Sequence, residues 1–164
     1  MKRKTVPLHF YKSRIPLITF RITGDERYYA ILDSGSEITM LGEHLKDKLK
    51  TKEIECETNL VGVNGGSGYK NLVQGACKAR LDGGEEEVPV ILGGMIHDMN
   101  ALSSHFKAED GEYIRIDAII GGEFLEHYNA KIDYKKRTVT IDSKDSDKRR
   151  KTSSSKQVTL APEK

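Results

Sequence analysis

Residues 15–22 read IPLITFRI, a run rich in β-branched residues that partly alternates, which predicts a strand. Thr23-Gly24-Asp25-Glu26 supplies turn residues, and residues 27–32 (RYYAIL) predict the returning strand. Leu41, Leu45 and Leu49 recur at intervals of four and predict a short amphipathic helix. Residues 60–69 (LVGVNGGSGY) hold four glycines and predict a glycine-rich hairpin tip. Residues 72–81 and 87–92 predict two strands around an Asp82-Gly83-Gly84 turn. Residues 95–111 show no clear period and are expected to form a loop or a short helix. The apolar run 114–120 predicts a strand ending at Gly121-Gly122, with one or two helical turns over 123–128. Residues 131–134 and 138–141 predict a closing hairpin across Lys135-Lys136-Arg137. Many short strands, glycine-rich turns and little helix indicate an all-β domain built on a closed, barrel-like sheet.

Composition adds boundaries. The chain has 164 residues, enough for one domain and a tail. From Asp142 onward seven Lys/Arg stand against four acids, with little apolar content, so 142–164 is expected to be a disordered basic tail. Residues 1–14 are expected to be an N-terminal arm and 15–141 the folded domain. The net charge of +2 sits in the tail, Trp is absent, and aromatics make up 7% of the chain. A nucleic-acid binder built on stacking platforms is therefore not expected. Cys56 and Cys77 match no metal spacing and are expected to be ordinary thiols of a reducing compartment. The basic start Met1-Lys2-Arg3-Lys4 is followed by no apolar run, so no signal peptide is expected. No stretch approaches the roughly 18 apolar residues of a membrane span. A cytoplasmic protein without membrane contact is expected. The five histidines are scattered, and the glycine-rich tip lacks the Gly-Lys-Ser/Thr ending of a phosphate loop, so neither metal nor cofactor is expected.

One tripeptide carries chemistry. Asp33-Ser34-Gly35 directly follows Ala30-Ile31-Leu32, so its carboxylate leaves the end of a buried strand. By itself such a triplet reads as a solvated turn. In this context Ser34 offers a hydroxyl to neighbouring backbone, and Gly35 permits a tight turn that brings peptide N–H groups to the carboxylate.

Several segments, in order, resemble the retropepsin-like aspartic proteases, the retroviral and DNA-damage-inducible-protein branches included. Residues 29–36 (YAILDSGS) resemble the catalytic strand and loop, with Ser34 where the family usually has Thr. Val61-Gly62-Val63-Asn64-Gly65-Gly66 resembles the flap hairpin that covers bound peptide. Ile119-Ile120-Gly121 resembles the element that supports the catalytic loop. The hairpin of residues 130–141 is similar to that closing cellular members. The resemblance spans about residues 15–141 and implies an acid-protease barrel with one or two short helices. It implies an aspartic endopeptidase in which Asp33, Ser34 and Gly35 form the catalytic loop. Gly62, Val63, Asn64, Gly65 and Gly66 would be the substrate-binding flap, and Ile119, Ile120 and Gly121 the support.

Peptide hydrolysis of this kind needs two carboxyl groups. The chain has no second Asp-Ser/Thr-Gly: Asp82-Gly83-Gly84 and Asp110-Gly111 read as turns, and the resemblance gives Asp117 no catalytic part. A homodimer acting on a polypeptide is therefore expected, each copy supplying one Asp33. The competing reading is a catalytically inactive module of the same fold that dimerises or binds peptide.

Overall fold

The computed structural model describes residues 2–11, 13–59, 67–103, 105–108 and 110–143, with the backbone alone for 55–59 and 67–72. The expected first hairpin is present: β2 (Leu17–Arg21) and β3 (Tyr28–Leu32) pair antiparallel, Leu17 opposite Ile31 and Phe20 opposite Tyr28. Residues 17–20 are buried on both faces. Side chains alternate along a strand. Ile18, Phe20, Ala30 and Leu32 accordingly enter the main core, while Leu17 and Ile31 enter a second cluster with Phe106, Ile114 and Ile116.

The leucine spacing at 41, 45 and 49 does not make one helix. Met40–Gly42 is a strand, β4, and Glu43–Lys48 is a 3₁₀ helix, after which Leu49 is extended. Met40 and Leu41 are drawn into ladders with two neighbouring strands, which overrides the local period. The three leucines still share one core, so the spacing recorded burial rather than helix.

β5 (Lys50–Asn59) and β6 (Ser67–Asp82) form a long antiparallel hairpin from Lys50 opposite Ala76 to Asn59 opposite Ser67. Its connection, 60–66, lies outside the described residues. β6 turns at Gly83-Gly84 into β7 (Glu87–His97), which runs five residues beyond the expected end so that 95–97 pair with β4. Gly94 permits this, because a Cβ there would sit 2.2 Å from the Thr39 carbonyl oxygen. A single turn of helix, α1 (Asn100–Ser103), follows. β8 (Ala118–Ile120) lies parallel to β3 and antiparallel to β4. α2 (Gly122–His127) leads to β9 (Lys131–Asp133) and β10 (Thr138–Ser143).

Strand order is β2-β3-β8-β4-β7-β6, and β6 pairs back to β2, closing a six-stranded barrel with β5 attached outside β6. The fold is therefore all-β with few, short helices, as expected. Lys2–Pro7, within the segment expected to be an arm, forms β1 and pairs with β10 along six residues. The second sheet is β1-β10-β9. Of residues 142–164, expected to be a disordered tail, Asp142 and Ser143 end β10, and 144–164 lie outside the described residues. Among the described residues no helix is long and apolar enough to cross a membrane.

Candidate active site

β3 ends at Leu32, and the parallel ladder to β8 carries the chain one residue further: Asp33 N–H donates to the Ile120 carbonyl at 2.9 Å. Leu32 N–H donates to Pro16 at 2.9 Å on the other side. The backbone of Asp33 is thus fixed from both neighbours before the turn begins. Within the turn Gly35 N–H donates to Asp33 Oδ1 at 2.9 Å, and Ser36 N–H donates to the Asp33 carbonyl at 3.0 Å. A Cβ on Gly35 would lie 3.2 Å from Oδ1, so glycine gives this close approach its room. Asp33, Ser34 and Gly35 are exposed, and Ser34 Oγ has no hydrogen-bond partner among the described residues.

The loop is held from below by Gly121-Gly122 and Glu123. Gly122 N–H donates to Ser36 O at 2.6 Å and Glu123 N–H to Glu37 O at 3.0 Å. Ser36 Oγ donates to the Ile38 carbonyl at 2.8 Å. Gly121 N–H donates to Thr39 Oγ1 at 3.1 Å, and Thr39 N–H donates to Glu123 Oε1 at 3.3 Å. Gly121 lies against the loop backbone, because a Cβ there would meet the Ile38 carbonyl oxygen at 2.2 Å. Ile120 points into the main core, and Ile119 packs with Met40 and Met99 on the other face.

The structure thus brings Asp33, Ser34 and Gly35 together with Ile119, Ile120 and Gly121. Gly62, Val63, Asn64, Gly65 and Gly66 lie outside the described residues; only the two arms that lead to them, β5 and β6, are described. Thr39 and Glu123 were not singled out from the sequence. Their partners stand 82 and 84 positions away, so no local pattern marks them.

Two concavities of the barrel wall, of 540 and 460 Å³, share Ile22, Lys78 and Ile91, and neither includes Asp33. Chemically the triplet offers an exposed carboxylate on a hydrogen-bonded backbone, with one oxygen held and the other without a hydrogen-bond partner among the described residues.

No family model matches the chain, and no curated protein matches it. Among solved structures it is similar to the crystal structure of the retroviral protease-like domain of Ddi1 from Leishmania major. That similarity has 17% sequence identity and a TM-score of 0.43, over 77% of this chain and 86% of that one.

Proposed function

We propose that this chain is one half of an aspartic endopeptidase, active as a homodimer. The observation that carries the reading is the placement of Asp33. It stands exposed at the end of a clamped core strand, with Gly35 N–H on one carboxylate oxygen. A hydrolytic site of this type needs a second carboxyl within reach, and the chain has one such triplet. A two-fold axis beside Asp33 supplies the second from another copy.

In the dimer the two Asp33 carboxyls share a proton, because two like charges at close range do not both ionise readily. The ionised one takes a proton from a water held between them while the protonated one hydrogen-bonds the peptide carbonyl. The water oxygen adds to the carbonyl carbon. The tetrahedral species then collapses as the amine nitrogen receives a proton and the C–N bond breaks. Ser34, with its hydroxyl free of partners within the described chain, would bond to the facing loop. The β5–β6 hairpin, with Gly62 to Gly66 at its tip, would close over an extended peptide.

The test is Asp33→Asn assayed against a peptide library with products read by mass spectrometry. Wild type should cleave, and the variant should fold and lose about 10³-fold or more of that activity. Cleavage retained by the variant refutes the assignment. A dimer that cleaves nothing favours the binding-module reading instead.

A further inference from the structure

Among the described residues the charged side chain in the buried set is Asp117, 1% exposed. Burying a carboxylate is costly unless hydrogen-bonding partners surround it. Both of its oxygens are engaged. Oδ1 accepts from His44 Nε2 and from Arg115 Nε, each at 2.6 Å, and Oδ2 accepts from Tyr29 N–H at 2.8 Å. The main chain of the same residue repeats the connection. Its N–H donates to the Tyr29 carbonyl at 2.8 Å, and its carbonyl accepts from Gly42 N–H at 2.8 Å. Three strands therefore meet on one residue: β3 through Tyr29, β4 through Gly42, and β8, which begins at the next position.

The parallel ladder of β3 and β8 pairs Ala30 with Ala118, Ile31 with Ile119 and Leu32 with Ile120. Asp33 closes one end of it by its bond to Ile120, and Asp117 closes the other by its two bonds to Tyr29. A slip of β8 along β3 would have to break both Tyr29 bonds together, and it would move the Ile120 carbonyl on which Asp33 hangs. Gly42 makes the arrangement possible, since a Cβ there would lie 2.5 Å from His44 Cε1 and 3.0 Å from the Asp117 carbonyl oxygen. Behind the cluster Arg115 also reaches Glu26 at 3.6 Å.

We infer that Asp117 is a positioning residue for Asp33: through Tyr29, and backed by His44 and Arg115, it sets the β3–β8 register that delivers the catalytic loop. This rests on the protease reading. Removing a cluster that merely adds stability would lower the melting temperature and leave the loop alone, so the readouts must separate the two.

The experiment compares wild type, Asp117→Asn, His44→Ala and His44→Gln. The probe is the best-cleaved peptide from the library, and exchange of the Asp33 and Gly35 amides is followed alongside. In Asp117→Asn, kcat should fall about 10- to 100-fold with KM within about threefold of wild type, as expected for a small displacement of a reacting group. Exchange at Asp33 should rise while Val139 and Ile141, in the other sheet, stay protected. His44→Gln, which keeps a donor near Nε2, should restore most of what His44→Ala loses. A folded Asp117→Asn with unchanged kcat and unchanged Asp33 exchange overturns the inference. If Asp117→Asn does not fold, the histidine pair decides, and equal activity and exchange in Ala and Gln variants overturns it. Should wild type cleave no peptide, the protease reading falls and the amide exchange alone judges Asp117.

Discussion

Around Asp33 single atoms decide the geometry. Thr39 is fully buried, and its hydroxyl is the acceptor for Gly121 N–H. Thr39→Val keeps the shape and removes that acceptor, leaving a buried amide unpaired at a cost of about 1–3 kcal/mol. Denaturant unfolding should register the loss, and the Gly121 amide should exchange faster than in wild type. Gly121→Ala is more severe, because the new methyl would meet backbone, at 2.2 Å from the Ile38 carbonyl. The loop would have to move, and a loss of about 3 kcal/mol or more is expected from the same unfolding measurement. At this scale the sequence was legible only where chemistry is written in adjacent letters. Asp33-Ser34-Gly35 and Ile119-Ile120-Gly121 could be read, whereas Thr39 and Glu123, and Asp117 in its bonds to Tyr29 and His44, act on partners far along the chain and carry no mark of it.

Elements were legible where periodicity and pairing agree. β2, β3, β6 and the β9–β10 hairpin follow their apolar patterns to within a few residues. They were misread where a ladder overrides a period, as at Leu41, and where the pattern is too polar to suggest a strand, as in Lys2–Pro7. Residues 95–111 were unreadable for a different reason. Phe106, with Ile114 and Ile116 just beyond, packs against the outward side of Leu17 and Ile31, a face whose existence only the folded hairpin reveals. That stretch roofs the strand that ends in Asp33. Phe106→Ala should cost about 3–5 kcal/mol and should raise amide exchange at Ile31 more than at Val139.

At the scale of the whole molecule the chain closes on itself where β1 meets β10, and that closure titrates. Arg3 Nη1 donates to Asp142 Oδ1 at 2.6 Å and Asn129 Nδ2 donates to Asp142 Oδ2 at 3.0 Å, and these bonds hold the Asp142 carboxyl below its ordinary value of 3.8. A depressed folded value means the stabilisation is present above about pH 4 and is lost as pH falls through the lowered folded value. Acid unfolding of Arg3→Ala should therefore start from a lower stability at neutral pH and show a shallower fall below pH 4. The proposed dimer makes a separate statement at this scale. Specific activity should decline on dilution, in step with the change from dimer to monomer mass by sedimentation. An active species of monomer mass at every concentration would end the two-chain reading.

The pairing of β1 with β10 has a consequence for how the polypeptide can be rewired. Lys2 lies opposite Ser143 in an antiparallel register, so the two ends of the described fold sit side by side. Facing strand residues are about 5 Å apart. A linker of roughly four residues should therefore join Ser143 to Lys2, and the exposed turn after Gly84 offers a place to open the chain anew. Such a circular permutant should keep the barrel and the Asp33 loop, since the joint lies in the other sheet and the cut falls in the β6–β7 turn, beyond the last ladder pair Asp82–Glu87. The same adjacency would let the domain be spliced into the middle of another polypeptide, leaving and rejoining its host at one corner.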